Sequence, residues 1–62
     1  MGYTLTELKQ EIADYKAELP VLEQARDIML ANHYNTDQMD WIIREHKAGL
    51  DYAEKMLEAV NA

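Results

Sequence analysis

Apolar residues recur along this chain at alternating spacings of three and four, which is the pattern of helices that pack against other helices. One such run occupies the first half of the chain and another occupies the second half. The residues are Leu5, Leu8, Ile12, Tyr15, Leu19 and Leu22 in the first run, and Met39, Ile43, His46, Leu50, Ala53, Leu57 and Val60 in the second. We call these runs the seams of helix 1 and helix 2, and they predict an all-α fold.

Polar residues just ahead of the first seam are typical of a helix start. Thr4 and Glu7 fit a capping box, in which the Thr4 hydroxyl accepts from the Glu7 amide and the Glu7 carboxylate accepts from the Thr4 amide. Tyr3 and Leu8 would form the hydrophobic staple that accompanies such a box. We therefore expect helix 1 to begin at Leu5.

Pro20 is the single strong helix breaker in the chain. It lacks the N–H that would bond one turn back, and its ring crowds that turn. Beyond it the old seam would place Arg26 inward, whereas a new apolar row of Val21, Ala25 and Ile28 lies beside the seam. We predict a kinked but continuous helix 1; the alternative is a break at Pro20 that gives a three-helix bundle.

The segment between the two seams predicts a tight turn. Asn tolerates the left-handed conformation that ends helices, and two Asn residues lie there. Asn35 can act as N-cap of helix 2, with Gln38 reaching back to it, and Thr36 is an equally acceptable cap. A short turn makes the helices antiparallel neighbours. The prediction is a single domain, 1–62, with helix 1 over about 5–31, the turn over 32–35 and helix 2 over about 36–60.

The charges and the apolar residues agree on one register for such a hairpin. Folding the chain about residue 35 pairs positions whose numbers sum to about 70. Lys16 then faces Glu54, which is opposite in sign, and Leu8 meets Val60 in the core. This agreement supports an antiparallel helical hairpin.

A second apolar edge lies beside the seam, and one partner helix cannot cover both edges. Its residues are Trp41, Ile42, Gly49 and Met56 on helix 2 and Val21, Ala25 and Ile28 on helix 1. The edge predicts an interface with a second copy or with a different protein, unless a break in helix 1 folds it into a three-helix core. The homodimer we expect is a four-helix bundle, in which Gly49 lets helices approach and Ile28 and Ile42 fill the centre.

Twelve acidic residues outnumber six basic ones, which gives a formal net charge of −6. This negative field opposes binding to a phosphate backbone, so we expect no direct contact with nucleic acid. The chain has no cysteine, which excludes disulfides and thiolate metal sites and fits a reducing cytoplasm. No apolar run approaches the roughly 20 residues of a membrane-spanning helix. We therefore expect a cytoplasmic protein that does not engage a membrane.

Residues suited to catalysis or to metal binding are scarce. His46 lies on the seam of helix 2, and no carboxylate or second histidine stands one turn away on the same helix. The chain has no Ser and no Gly-rich phosphate loop, and two helices form no enclosed pocket for nucleophilic or phosphoryl chemistry. We predict a non-catalytic protein that uses no cofactor and no metal.

Four carboxylates line one flank of helix 1 at spacings of four, three and four: Glu7, Glu11, Asp14 and Glu18. Such a row is usually a solvated face that keeps a small protein soluble. A second interpretation is mimicry of nucleic acid toward a basic protein. The row places four charges along about 16 Å of helix, whereas duplex DNA of that length carries roughly nine.

These features predict a small acidic helical protein that binds another protein as an adaptor or an inhibitor. The alternative is an acidic nucleic-acid mimic that blocks a DNA- or RNA-binding protein, and a further alternative is a structural assembly subunit. Salt separates the first two, because exposed charges are screened over about 8 Å in physiological salt. Mimicry would therefore weaken at high salt, whereas an apolar interface would not.

Overall fold

The computed structural model describes residues 4–61, and within them it shows two α-helices joined by a turn. Helix α1 covers Leu5–Ala31 and helix α2 covers Asp37–Asn61. They pack side by side as an antiparallel hairpin with extents of 46 × 21 × 16 Å. The predicted all-α hairpin is confirmed, and α2 begins one residue later than predicted.

The start of α1 uses the predicted capping pair. The Glu7 amide donates to Thr4 Oγ1 over 3.1 Å, as expected. A second bond joins the side chains of the same two residues, in which the Thr4 hydroxyl donates to Glu7 Oε1 over 3.0 Å. Tyr3, the other half of the predicted staple, lies outside the described residues.

Helix α1 runs without a break through Pro20, so the alternative of a three-helix bundle is wrong. The seam also continues unchanged, because Leu22, Arg26 and Met29 are half-buried whereas Ile28 stays exposed. The new apolar row therefore does not replace the seam, contrary to the inward shift that the sequence suggested. Pro20 itself is exposed, so solvent can satisfy the carbonyl that lacks a helical donor.

A Schellman motif ends α1, and His33 supplies its left-handed residue with a φ of 62°. The His33 amide donates to the Leu30 carbonyl over 3.1 Å, and the Tyr34 amide donates to the Met29 carbonyl over 2.9 Å. The expectation that an Asn would take the left-handed position is therefore wrong. Asn32 instead caps the helix end, where its Nδ2 donates to the Ile28 carbonyl over 2.8 Å.

Thr36 is the N-cap of α2, because its carbonyl accepts the first helical bond from the Asp40 amide over 2.8 Å. Its hydroxyl also donates to Asp40 Oδ2 over 3.1 Å. Asn35 lies one residue earlier and accepts from the Asp37 amide over 2.7 Å. Of the two caps left open by the sequence, Thr36 is therefore the one used, and Asn35 supports the turn that precedes it.

The apolar core lies in the open half of the hairpin, which we define as the half farther from the turn. Leu8, Ile12 and Ala53 are buried there, and the half-buried residues packed against them are Leu50, Met56 and Leu57. In the turn half, Ile43 is the buried side chain of the described residues. The hairpin therefore has most of its core at one end.

The contacts between the helices scatter around the predicted register. Lys16 contacts Glu54, a pair whose numbers sum to 70 as predicted, whereas Glu18 contacts His46, a pair whose numbers sum to 64. Leu8 is buried in the core, but Val60, which was predicted to meet it there, is 61% exposed and lies outside the core.

Candidate protein-binding face

One long edge of the hairpin is held by ion pairs, and we call it the paired edge. Lys16 Nζ lies 3.7 Å from Glu54 Oε2, which confirms the predicted pair. Nearer the turn, Arg26 Nη1 lies 3.9 Å from Asp40 Oδ1. These groups are largely solvated, so each pair adds little to stability.

The seam of the turn half contains a charged residue, Arg26, among apolar residues such as Leu22, Met29 and Ile43. The Arg26 side chain is 32% exposed, and its Nη2 lies 3.6 Å from Asp27 Oδ1. The Arg26 Nε is buried and has no hydrogen-bond partner in the described chain. An unsatisfied buried donor costs free energy, so this seam adds less stability than an apolar one would.

The opposite long edge combines carboxylates with apolar side chains, and we call it the acidic–apolar face. On α1, steps of four and three lead from the acidic row straight into the apolar row, and on α2 a second row runs beside them. The α1 row is Glu7, Glu11, Asp14, Glu18, Val21, Ala25 and Ile28, and the α2 row is Ile42, Glu45, Gly49, Tyr52 and Met56. The α1 row is therefore acidic before Pro20 and apolar after it.

A shallow groove of about 160 Å³ opens on this face in the open half. Its lining residues are Leu8, Glu11, Tyr15, Gly49, Tyr52, Ala53 and Met56. Glu11 forms its rim on α1, and Tyr52, which is 63% exposed, stands beside it on α2. The groove is thus an apolar depression bordered by a carboxylate.

Gly49 packs closely against the Tyr15 ring within the hairpin. A Cβ at this position would lie 2.5 Å from Tyr15 Oη and 2.7 Å from Tyr15 Cζ, so the tyrosine ring fills the space that a side chain would take. Met56 likewise packs against the core of its own chain. Both residues therefore take part in the hairpin's own packing, and their predicted role in an interface with a partner stays a prediction.

His46 links the two helices at the middle of the hairpin. Its Nδ1 lies 3.0 Å from the Ile42 carbonyl and its Nε2 lies 3.1 Å from Glu18 Oε2. The Tyr15 ring meets the imidazole edge-on, with centroids 5.6 Å apart. A carbonyl and a carboxylate only accept, so both bonds form when both ring nitrogens carry protons.

This link was not predicted from the sequence, because only residues one turn away on the same helix were considered as partners of His46. Glu18 comes from the other helix, 28 positions earlier in the chain. The predicted register does not pair these two residues, because their numbers sum to 64 and not to about 70. No group of three metal-ligating side chains forms within residues 4–61.

The four predicted carboxylates do lie in one row, and each has a role inside the hairpin. Glu7 bonds with Thr4, Glu18 with His46, and Asp14 accepts from Gln10 Nε2 over 2.9 Å. The remaining one, Glu11, is half-buried at the groove. An ionised carboxylate accepts several hydrogen bonds, so these contacts leave capacity for a partner.

The apolar residues predicted for an interface divide into two groups. Val21, Ile28 and Trp41 are 64%, 57% and 55% exposed, respectively. Ala25 and Ile42 are half-buried beside them. All five lie in the turn half, which therefore exposes three large apolar side chains although Leu22, Met29 and Ile43 are half-buried or buried in its seam.

Comparisons of the chain with protein-family models, curated proteins and solved structures find no match. Neither helix in the described part of the chain has an apolar stretch long enough to cross a membrane. The surfaces of the hairpin are therefore the basis for a functional proposal.

Proposed function

We propose that this chain is a non-catalytic, cytoplasmic protein that acts by binding another protein, as an adaptor or an inhibitor. The observation that carries the proposal is the set of exposed apolar side chains on the turn half. There Arg26 occupies the seam while Val21, Ile28 and Trp41 stand in solvent. A partner that covers these side chains would remove their apolar surface from water.

The acidic–apolar face is the part of the surface best suited to this role. Its α1 row brings Val21 and Ile28 to the same edge as Ala25, and the α2 row brings Ile42 beside them. The groove of the open half continues the face past Glu11. A partner could therefore contact one continuous strip that runs along both helices.

The nucleic-acid mimic and the assembly subunit remain alternative proposals with weaker support. Mimicry requires a charge density near that of a duplex, whereas the row places four carboxylates along about 16 Å, over which duplex DNA carries roughly nine charges. The homodimer expected from the sequence stays a prediction. It competes with a foreign partner for the same apolar surface, and sedimentation at about 100 micromolar protein would detect it.

A pull-down with matched surface variants tests the proposal. Val21→Lys with Ile28→Lys places two charges on the exposed apolar row, and the expected result is loss of a specific partner. Leu30→Lys is the matched control, because Leu30 is 53% exposed and continues the row of Lys16 on the paired edge. The wild type and the control should capture the same partner.

Salt gives the second arm of this experiment. Capture should persist at about 0.5 M salt, where the screening length falls to a few ångströms, because the proposed contact is mainly apolar. Capture that disappears with salt but is indifferent to the two lysines would favour the mimic. Equal capture by all three proteins at every salt concentration would refute the proposed surface.

A further inference from the structure

We infer that the acidic–apolar face accepts a basic amphipathic helix, with apolar residues over the groove and the turn half and Lys or Arg side chains along the acidic row. This inference rests on the proposed function and specifies the partner that the face fits. Helix-in-groove binding of this kind uses apolar anchors at helical spacing. The distribution of charge between the two edges of the hairpin favours a basic occupant.

The two edges of the hairpin differ completely in basic residues. Neither row of the acidic–apolar face contains a Lys or an Arg, although the chain has six. Lys16 and Arg26 are committed to the paired edge. Arg44 and Lys47 fall in the α2 row that begins at Asp40 on that same edge. The acidic–apolar face therefore presents carboxylates without a Lys or an Arg of its own, and Glu18 is the carboxylate of the row that contacts a histidine, His46.

This asymmetry decides between a foreign helix and a second copy. A second hairpin packing through the same face would bring five further carboxylates and no Lys or Arg. Glu11 and its neighbours would then face apolar side chains or other carboxylates, and burying a charge without a partner is unfavourable. A helix with Lys or Arg along one side supplies the missing cations while its apolar side covers Val21 and Ile28.

The dimensions of the face set the length of its occupant. The α1 row runs from Glu7 to Ile28, which corresponds to about 32 Å at 1.5 Å per residue. A helix of about 21 residues would cover it. Its basic residues would lie over the open half, beside Glu11 and Asp14, and its most apolar turns would lie over Ile28 in the turn half.

The test is a fluorescence anisotropy titration of the full chain with three designed, labelled peptides of about 21 residues. The first is a basic amphipathic helix with Leu at alternating spacings of three and four. The second keeps every Leu and replaces each Lys and Arg by Glu. The third has the composition of the first in an order without helical periodicity. We expect the first to bind at least about tenfold more tightly than the other two.

Variants of the chain locate the contact. Glu11→Lys and Ile28→Lys should each weaken binding of the basic peptide about tenfold. Asp14→Lys, at an exposed position, gives the same readout if Glu11→Lys perturbs the groove. Glu58→Lys is the control, since it makes the same change in net charge one turn beyond Glu54 on the paired edge, and it should alter affinity less than twofold.

Each contrary result overturns the inference in a different way. Equal binding of the acidic peptide would show an apolar site without preference for cations, which leaves the proposed function standing. Equal binding of the aperiodic peptide would show charge attraction alone. If the chain binds no peptide and sediments as a dimer that Ile28→Lys dissociates, the face is an interface between two copies of the chain. If the chain is a monomer and binds no peptide, the basic helix is refuted as the partner. The pull-down then tests the proposed function separately.

Discussion

The two halves of this hairpin differ in how fully they bury their apolar residues. The open half buries Leu8, Ile12 and Ala53 between its helices, whereas the turn half buries Ile43, holds Arg26 in its seam and leaves Ile28 exposed. Both halves have apolar residues in the sequence, so composition does not explain the contrast. The difference predicts that substitutions in the open half cost more stability, and it supports the proposal that the turn half is the surface for contact.

The largest expected effect comes from making one substitution in both halves of α1. Ile12 is 7% exposed and Ile28 is 57% exposed. Ile12→Ala should lower the free energy of unfolding by about 2–5 kcal/mol, because it opens a cavity in the core. A hairpin of this size has only about 3–5 kcal/mol of stability, so the variant should lose most of its helicity by circular dichroism.

Ile28→Ala is the matched partner of that variant. It should change the free energy of unfolding by no more than about 0.5 kcal/mol, as expected for an exposed position. Urea unfolding followed by circular dichroism would measure both variants. Similar losses for the two would mean that the turn half is also packed around Ile28.

The contact between Tyr15 and Gly49 offers a sharper test at the boundary of the two halves. Ala is favoured over Gly in a helix by about 1 kcal/mol, but a Cβ at position 49 would meet the tyrosine ring. Gly49→Ala should therefore gain that amount only in a Tyr15→Ala background. In the wild type the ring must move away from His46, which should cancel or reverse the gain.

A double-mutant cycle measures this coupling, and we expect about 1–2 kcal/mol between positions 15 and 49. The four proteins of the cycle would be compared by urea unfolding at one protein concentration. Additive effects would show that Tyr15 does not occupy the space beside Gly49. The assignment of Gly49 to the hairpin's own packing would then fail.

Arg26→Met tests whether the turn half gives up stability through the charged residue in its seam. The change removes a buried Nε that has no partner, and Met keeps an unbranched side chain of similar length. The free energy of unfolding should rise by about 1 kcal/mol. A fall of similar size would mean that the contacts of Arg26 with Asp27 and Asp40 stabilise the seam.

The smallest gain is expected at the turn. His33 has a φ of 62°, a conformation that favours glycine, so His33→Gly should raise the free energy of unfolding by about 0.5–1 kcal/mol. His33→Ala is the control, because it removes the imidazole and keeps the Cβ that causes the strain. Thermal unfolding should give His33→Gly a higher midpoint than both the control and the wild type.

The sequence alone predicted the helices well because local signals govern them. The Thr4 cap, the alternating spacings of three and four, and the turn after Ala31 all act within a few residues. Pro20 was also predicted correctly to lie inside one continuous helix, and its exposed position lets solvent satisfy the carbonyl that lacks a helical donor. These elements needed no knowledge of tertiary contacts.

Several features that depend on contacts between the helices were not predicted correctly from the sequence. Val21 and Ile28 were expected to form a new inward-facing row beyond Pro20, but the continuing helix keeps Arg26 inward and leaves these two residues exposed. The pair of Lys16 with Glu54 was predicted correctly, whereas the link between Glu18 and His46 was missed, because side-chain contacts between the helices depart from a single register by several residues. The acidic–apolar face was therefore present in the sequence as two separate rows, and only the hairpin joins them.

The measurement that tests the central claim most directly is the urea unfolding of Val21→Lys with Ile28→Lys, at protein concentrations of about 5 and about 500 micromolar. If these two apolar residues of the turn half lie outside the fold, the double variant should keep the wild-type midpoint at both concentrations. A loss of about 2 kcal/mol or more at either concentration would contradict the account, because it would place these side chains in a core or in a stabilising dimer.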